Sequence, residues 1–175
     1  MKIIPTTYEG IEYRSKTEAA WAAYLTYLGV NFEYEPEAFD LGSSGYYLPD
    51  FYLVDIDCFL EIKPTFILSG RESPVQSLAN NTDKRVYLAK GQPRMFGDDC
   101  SDYIEVYFSE QGSDYPYWPC LCQFCGKFGI EFEGRSGRIK CCINNKGDKS
   151  YNSNDPRLNK AVKYALSVVK WRAVK

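Results

Sequence analysis

The distribution of apolar residues predicts two amphipathic helices, one near each end of the chain. The first begins after Ser15 and ends at Gly29, and its apolar residues recur three and four positions apart. The second is opened by Asp155 and Pro156 and runs over residues 157–173. Its apolar face consists of Leu158, Ala161, Val162, Ala165, Val168 and Val169. Both helices are therefore expected to bury one face in a core.

Shorter apolar runs, bounded by Gly, Pro or Asp, predict strands between these helices. A tight turn within residues 8–14 joins two short strands. Further strands are predicted at residues 30–34, 46–53, 59–63, 85–89 and 104–108, with a short helix at residues 73–80. This alternation of helices and strands indicates an α/β protein. Glycine, serine and proline concentrate over residues 111–119, which predicts two parts, residues 1–112 and residues 113–175.

Three polar residues interrupt two neighbouring apolar strands. Side chains alternate along a strand, so Glu61 and Lys63 share one face while Leu60 and Ile62 lie on the other. If the two strands form a hairpin, Asp50 lies near Glu61. Two converging carboxylates suit a hard cation such as Mg²⁺ or Mn²⁺. A lysine beside them can hold a water or stabilise charge on a phosphorane-like transition state, so the pattern predicts phosphodiester hydrolysis.

Glu18 has two interpretations. Ser15-Lys16-Thr17-Glu18 matches a capping box, in which Glu18 stabilises the start of the helix by about 1 kcal/mol. Glu18 also precedes Trp21 by three positions and Leu25 by seven, so it shares their buried face and can point into the metal site. The two roles are compatible.

The chain contains no histidine. This excludes Ser/His/Asp and Cys/His nucleophilic catalysis, histidine metal ligands and acid–base chemistry by histidine. Catalysis would have to rely on carboxylates, lysine, tyrosine, cysteine or a metal ion.

The order of these motifs resembles that of the PD-(D/E)xK nuclease superfamily, and it is most similar to small phage-type and transposase-type members. The segments that carry the resemblance are Tyr13-Arg14-Ser15 with Glu18, Ala19, Trp21 and Ala22, then Tyr34-Glu35-Pro36-Glu37, Tyr47-Leu48-Pro49-Asp50-Phe51 and Leu60-Glu61-Ile62-Lys63-Pro64. They span residues 8–90, about half of the chain. The resemblance implies a restriction-endonuclease-like αβββαβ core, here joined to a small zinc-binding module and a C-terminal helix.

The resemblance also implies roles for single residues. The implied catalytic residues are Glu18 on the helix, Asp50 and Glu61 as Mg²⁺ ligands, and Lys63 as the catalytic lysine. The carbonyl of Ile62 is a further candidate ligand. Some branches of the superfamily carry a Gln-x-x-x-Tyr element after the lysine, but here Gln76 is followed by Asn80. This departure argues against an exonuclease of that branch.

Five of the seven cysteines lie between positions 120 and 142. Cys122-x-x-Cys125-Gly126 has the spacing of a zinc knuckle, in which two thiolates chelate one ion and the glycine permits a tight turn. The favoured ligands of a structural Zn²⁺ are Cys122, Cys125, Cys142 and Cys141, with Cys120 as a substitute for Cys141. A disulfide pair or buried free thiols are the alternatives. The isolated cysteines interpreted as packing residues are Cys58 and Cys100.

The net charge of −2 conceals an asymmetry along the chain. Residues 1–119 carry 9 Lys/Arg and 19 Asp/Glu, a net charge of −10, whereas residues 120–175 carry 12 and 4, a net charge of +8. A basic C-terminal part can contact phosphate, although a solvated charged surface is the plain alternative. The candidate phosphate contacts are Arg135, Arg138 and Lys140 in a hairpin over residues 128–140, and Lys160, Lys163, Lys170 and Arg172 on the last helix.

Together these features predict a Mg²⁺- or Mn²⁺-dependent endonuclease whose acidic part cuts DNA while its zinc-bearing basic part holds it. The alternatives are a binding protein on the same fold that inhibits a host nucleic-acid-acting or defence complex, and a transposase-type subunit that cuts only with a protein partner. A homodimer is expected from the resemblance alone. No apolar run is long enough to cross a membrane. Without an export signal, we expect a reducing cytoplasm, that of the host if the protein is phage-encoded.

Overall fold

The computed structural model describes residues 4–63, 74–97, 103–108, 111–113, 117–132, 141–142 and 151–169. The strands are β1 Thr6–Tyr8, β2 Ile11–Tyr13, β3 Phe32–Tyr34, β4 Phe39–Asp40, β5 Tyr46–Tyr47, β6 Phe51–Leu53, β7 Cys58–Lys63, β8 Arg85–Lys90, β9 Ile104–Phe108, β10 Gln111–Ser113, β11 Tyr117–Cys122, β12 Phe128–Phe132 and β13 Tyr151–Asn152. The α-helices within these ranges are α1 Lys16–Tyr27, α2 Pro74–Thr82 and α3 Pro156–Val168. Short 3-10 turns lie at Gly42–Ser44 and Val54–Ile56. The fold is therefore mixed α/β.

A six-stranded mixed sheet in the order β10-β9-β8-β7-β6-β3 forms the centre of the molecule. The strands β3, β6 and β7 pair antiparallel, whereas β7 and β8 run parallel and are connected through α2. A smaller sheet in the order β12-β11-β13 carries the cysteine segment. The hairpin of β1 and β2 turns through Glu9 and Gly10, both at positive φ, as the sequence predicts.

The prediction of one strand over residues 46–53 was wrong, because the structure divides this segment in two. Tyr46–Tyr47 pairs with β4 in a separate two-stranded sheet, and Phe51–Leu53 joins the main sheet. Pro49 lies between them, and a proline offers no amide hydrogen to a strand ladder. The division places Asp50 at the end of the main sheet where β6 begins.

Helix α1 is buried on all sides rather than on one face. The pattern of large apolar residues predicted a single buried face, but residues 19–25 are all buried. Four of these residues are alanines, whose short side chains permit close packing on the second face. The residues of α3 that join α1 in one core are Leu158, Ala161, Val162 and Ala165. The opposite face is occupied by residues of the main sheet, including Leu60 and Ile62.

A second core lies on the other face of the main sheet, where α2 packs against Phe59, Val86 and Leu88. Residues before and after the predicted boundary at 111–119 share the first core, and Tyr87 donates a hydrogen bond to the carbonyl of Ile130 at 3.0 Å. The two predicted parts are therefore packed against each other. Among the described residues, no helix combines the length and the apolarity that crossing a membrane requires.

Candidate functional site

The antiparallel pairing of β6 and β7 brings two of the predicted carboxylates together. Phe51 lies opposite Leu60, which sets Asp50 against Glu61. The amide of Asp50 donates to Glu61 Oε2 at 3.2 Å, and the amide of Ile62 donates to Asp50 Oδ2 at 2.7 Å. Asp50 is 3% exposed and Glu61 is 2% exposed. Two carboxylates are thus held side by side below the surface.

Each of these carboxylates contacts one side-chain cation. Lys63 Nζ forms an ion pair with Glu61 Oε1, as their shared strand face predicts. Arg14 Nη2 forms an ion pair with Asp50 Oδ1. The side chains of the two cations are half-exposed, at 37% for Lys63 and 52% for Arg14. Sequence analysis named Arg14 only as part of a segment that resembles the nuclease superfamily and gave it no role. The one feature that marked it was its position directly before the helix cap Ser15.

Arg14 connects Asp50 to two further acidic residues. Its Nε lies 2.7 Å from Glu35 Oε1 and 3.8 Å from Glu18 Oε2. Glu35 adopts a positive φ of 47°, and its amide donates to the carbonyl of Asp50 at 2.9 Å. Sequence reasoning did not give Glu35 a role of its own, because a partly buried glutamate at the end of a strand carries no distinctive pattern. The guanidinium is therefore surrounded by three carboxylates.

Ser15 of the predicted capping box caps α1, and two hydroxyl groups hold the carboxylate of Glu18. Ser15 is the N-cap of α1, and its hydroxyl accepts from the amide of Glu18 at 3.2 Å. The hydroxyls of Ser15 and Tyr34 each donate to one carboxylate oxygen of Glu18, both at 2.7 Å. Glu18 reaches Asp50 through Arg14 and by its charge rather than by direct contact.

The burial of Asp50 changes its ionisation. Removal from water is the largest cause, followed by repulsion from Glu61, and together they raise the pKa of Asp50 to about 7. The hydrogen bond from Ile62 and the charge of Lys63 oppose this rise. An aspartate with such a pKa is in balance between its charged and neutral forms near neutral pH.

Tyr47 adds a hydroxyl to the same region. Its pKa is raised, first by burial and then by the charge of Glu61. The hydroxyl oxygen is buried and has no hydrogen-bond partner of normal geometry among the described residues. A hydrogen bond to Glu61 also contributes to the rise in pKa, so the Tyr47 hydroxyl belongs to the same buried polar group as the two carboxylates.

Two successive hydrogen bonds connect the backbone of Lys63 to the core. The amide of Gly91 donates to the carbonyl of Lys63 at 2.8 Å, and Trp21 Nε1 donates to the carbonyl of Gly91 at 2.9 Å. The end of β7 is therefore fixed to α1 through the buried indole of Trp21, which limits movement of the Lys63 backbone.

The cysteine segment forms a second cluster. Four sulfurs, those of Cys122, Cys125, Cys141 and Cys142, all lie within 4.8 Å of one another. The separations are 3.9 Å for Cys122–Cys142, 3.4 Å for Cys125–Cys141 and 4.0 Å for Cys141–Cys142. Sulfurs bound tetrahedrally at 2.3 Å to one Zn²⁺ are about 3.8 Å apart. The cluster could therefore hold a metal such as zinc.

The tight turn of the predicted zinc knuckle connects β11 and β12. The amide of Gly126 donates to the carbonyl of Cys122 at 2.8 Å, and the amide of Cys122 donates to the carbonyl of Lys127 at 2.9 Å. Gly126 has a φ of 75°, and a Cβ there would lie 2.8 Å from Arg157 Nη1. Glycine therefore serves both the turn and the close approach of the Arg157 guanidinium to that turn.

Cys120 is not one of the four clustered sulfurs, although it packs beside Cys122. It is fully buried in β11, and burial raises the pKa of its thiol well above the usual value. Its sulfur is not among the four that lie within 4.8 Å of one another, so the geometry favours Cys141 over Cys120 as the fourth ligand. Cys58 is buried in the core, in agreement with a packing role, and Cys100 lies outside the described residues.

The structure describes two of the seven candidate phosphate contacts. Lys160 and Lys163 are exposed on α3. The contacts that lie outside the described residues are Arg135, Arg138, Lys140, Lys170 and Arg172. On α2, Asn80 stands where the Gln-x-x-x-Tyr element has tyrosine. Gln76 Nε2 donates a hydrogen bond to Asn80 Oδ1 at 2.9 Å.

Within the described part of the chain, the cysteine cluster is the one group of three or more cysteines, aspartates or glutamates whose ligand atoms all lie within 4.8 Å. Comparisons of the chain with family models, with curated proteins and with solved structures found no match.

Proposed function

We propose that this protein is a metal-dependent endonuclease that hydrolyses phosphodiester bonds of DNA. The observation that carries the proposal is the convergence of buried Asp50 and Glu61 beside Lys63, where the start of β6 lies next to the end of β7. Burying two carboxylates side by side is unfavourable unless cations compensate them. Such an arrangement is more typical of a functional site than of a stabilising one.

The order of elements around these residues supports the same proposal. Helix α1 is followed by the antiparallel strands β3, β6 and β7, then by α2 and the parallel strand β8. This is the αβββαβ order that the resemblance to PD-(D/E)xK nucleases implies. In this interpretation β4 and β5 form an insertion before Asp50, and the smaller sheet with α3 is an addition.

The donor set agrees with a hard divalent cation. Asp50 and Glu61 offer carboxylate oxygens, which Mg²⁺ and Mn²⁺ prefer. The buried hydroxyl of Tyr47 lies beside Glu61 and adds a polar group to the same site. Asp50 and Glu61 would hold the ion, and the carbonyl of Ile62 is a further candidate. When bound, the ion would lower the pKa of a coordinated water and neutralise charge on the scissile phosphate.

The remaining residues would act on the reacting groups directly. Lys63 Nζ lies on the exposed rim of the pair, so it can donate to the attacking water or to a phosphate oxygen. Glu61 keeps that ammonium at the site through their ion pair. Glu18 would act as a positioning residue, since Ser15 and Tyr34 hold it beside Arg14.

The cysteine cluster and α3 would serve DNA binding rather than the chemistry. Four thiolates around Zn²⁺ leave no open coordination position, which is typical of structural sites. The exposed lysines of α3 would contact the phosphate backbone without reading bases. A homodimer, or a protein partner, stays a prediction from the resemblance.

The proposal is tested by incubating the zinc-loaded chain with plasmid, linear and branched DNA in the presence of Mg²⁺ or Mn²⁺. We expect cleavage by the wild type and a loss of at least a hundredfold in Asp50→Asn and Lys63→Ala. The matched controls are Asp57→Asn and Lys84→Ala, which remove an ion pair at the other end of β7. Cleavage that persists in both site variants would contradict the assignment.

The alternative is a binding protein on the same fold that inhibits a nucleic-acid-acting complex. The observation that favours it is the net charge of −10 over residues 1–119, which suits a surface that normally binds nucleic acid. An absence of cleavage on every substrate, with each variant folded, would favour this alternative.

A further inference from the structure

Arg14 contacts Asp50, one of the two carboxylates that would hold a metal ion. Its Nη2 contacts Asp50 Oδ1, while the other oxygen of Asp50 accepts from the amide of Ile62 at 2.7 Å. Both oxygens of Asp50 are thus engaged, one by a fixed backbone donor and one by a side chain. Only the side chain can leave without unfolding the strand pair, because the amide of Ile62 belongs to β7.

We propose that Arg14 is an internal counter-ion of the metal site, displaced from Asp50 when the metal binds. This inference rests on the proposed function and adds a positioning residue to it. Arg14 and the ion compete for the same carboxylate oxygen, so the guanidinium holds Asp50 in place in the metal-free protein and lowers its affinity for metal.

The other contacts of Arg14 show where the guanidinium remains after displacement. Its Nε lies 2.7 Å from Glu35 Oε1, and Glu35 is anchored by its own amide, which donates to the carbonyl of Asp50. The Arg14 side chain is half-exposed, so it can rotate outward while keeping its contact with Glu35. Glu35 is therefore the residue that retains Arg14 at the rim of the site.

Lys63 differs from Arg14, because its ion pair is with Glu61 and not with Asp50. It is bonded to Glu61 on the same strand, two residues away, and it has no contact with Asp50 comparable to that of Arg14 among the described residues. Asp50 therefore has a single side-chain cation in direct contact, and removing Arg14 tests the competition without removing the proposed catalytic lysine.

The experiment titrates Mn²⁺ into the zinc-loaded full chain and measures its dissociation constant by calorimetry. Zn²⁺ binds thiolates more tightly than Mn²⁺ does, so the cysteine cluster stays occupied by zinc. We expect Arg14→Gln to bind Mn²⁺ about three- to tenfold more tightly than the wild type, because a half-exposed ion pair no longer has to be broken. Arg14→Lys, which cannot bridge Asp50 and Glu35 in the same way, should be intermediate.

Lys84→Gln is the matched control, because it removes the same charge from an ion pair with Asp57 at the other end of β7. It should bind Mn²⁺ as the wild type does. Equal affinity in Arg14→Gln and wild type, or weaker affinity in a folded Arg14→Gln, would overturn the inference while leaving the proposed metal site intact. If neither wild type nor Arg14→Gln binds Mn²⁺, the proposed function fails, and the inference fails with it.

Discussion

Asp50 and Glu61 are each held by one backbone amide and one side-chain cation. The amides of Ile62 and Asp50 are fixed by the strand pairing, whereas the cations come from half-exposed side chains. Buried carboxylates normally need such compensation. Here the compensation is divided between groups that cannot move and groups that can, which suits a site that exchanges protein cations for a metal.

The raised pKa of Asp50 predicts how the stability of the protein without Mg²⁺ or Mn²⁺ depends on pH. Between pH 4 and about 7, Asp50 binds a proton in the folded chain but not in the unfolded chain. The free energy of unfolding should therefore fall as pH rises through this window, by up to about 1.4 kcal/mol per pH unit from this residue. Asp50→Asn should lose that slope, as measured by urea unfolding of the zinc-loaded chain without added Mg²⁺ or Mn²⁺.

Asp57→Asn is the control for this measurement. The pKa of Asp57 is lowered, chiefly by its hydrogen bond from Lys84, so its contribution has the opposite sign. Its side chain is largely exposed, so the effect should be small. An unchanged pH slope in Asp50→Asn would show that Asp50 titrates normally.

At the scale of elements, the sequence predicted what depends on local pattern. Alternation along Phe59–Lys63 assigned Glu61 and Lys63 to one face, and Ser15 was identified as a cap from the capping-box spacing. Arg14 could not be assigned, because its contact with Asp50 spans 36 positions and depends on how α1 meets the sheet. Pattern alone also missed the break at Pro49, since apolar residues continue on both sides of it.

The zinc-knuckle turn has a testable ligand set. Because Cys125 belongs to the four-sulfur group and Cys120 lies outside it, Cys125→Ser should lose bound zinc while Cys120→Ala should retain one zinc per chain. Zinc content is measured by elemental analysis after gel filtration. Zinc loss in both variants would place Cys120 among the ligands, and zinc-free wild type would contradict a zinc site.

At the scale of the whole molecule, one core connects the acidic and basic parts. Helix α1 carries Glu18 at its start and packs against α3, where the rings of Tyr27 and Tyr164 lie 5.1 Å apart. The turn between Cys122 and Cys125 lies against α3, because Arg157 of that helix is close to Gly126. A DNA backbone bound along α3 would therefore be held by a surface rigidly connected to the proposed cutting site.

This connection and the charge asymmetry together predict a strongly salt-dependent affinity for DNA. Residues 120–175 carry a net charge of +8, and cations that neutralise phosphates release counterions on binding. The logarithm of the association constant should fall linearly with the logarithm of salt concentration.

Lys160→Gln and Lys163→Gln should each reduce the slope by about 1 if each contacts one phosphate. Fluorescence anisotropy with the zinc-loaded chain and a labelled duplex, without added Mg²⁺ or Mn²⁺, measures the slope without cleavage. Lys84→Gln, far along the chain in the acidic part, should leave it unchanged, and a flat salt response in the wild type would contradict phosphate-driven binding.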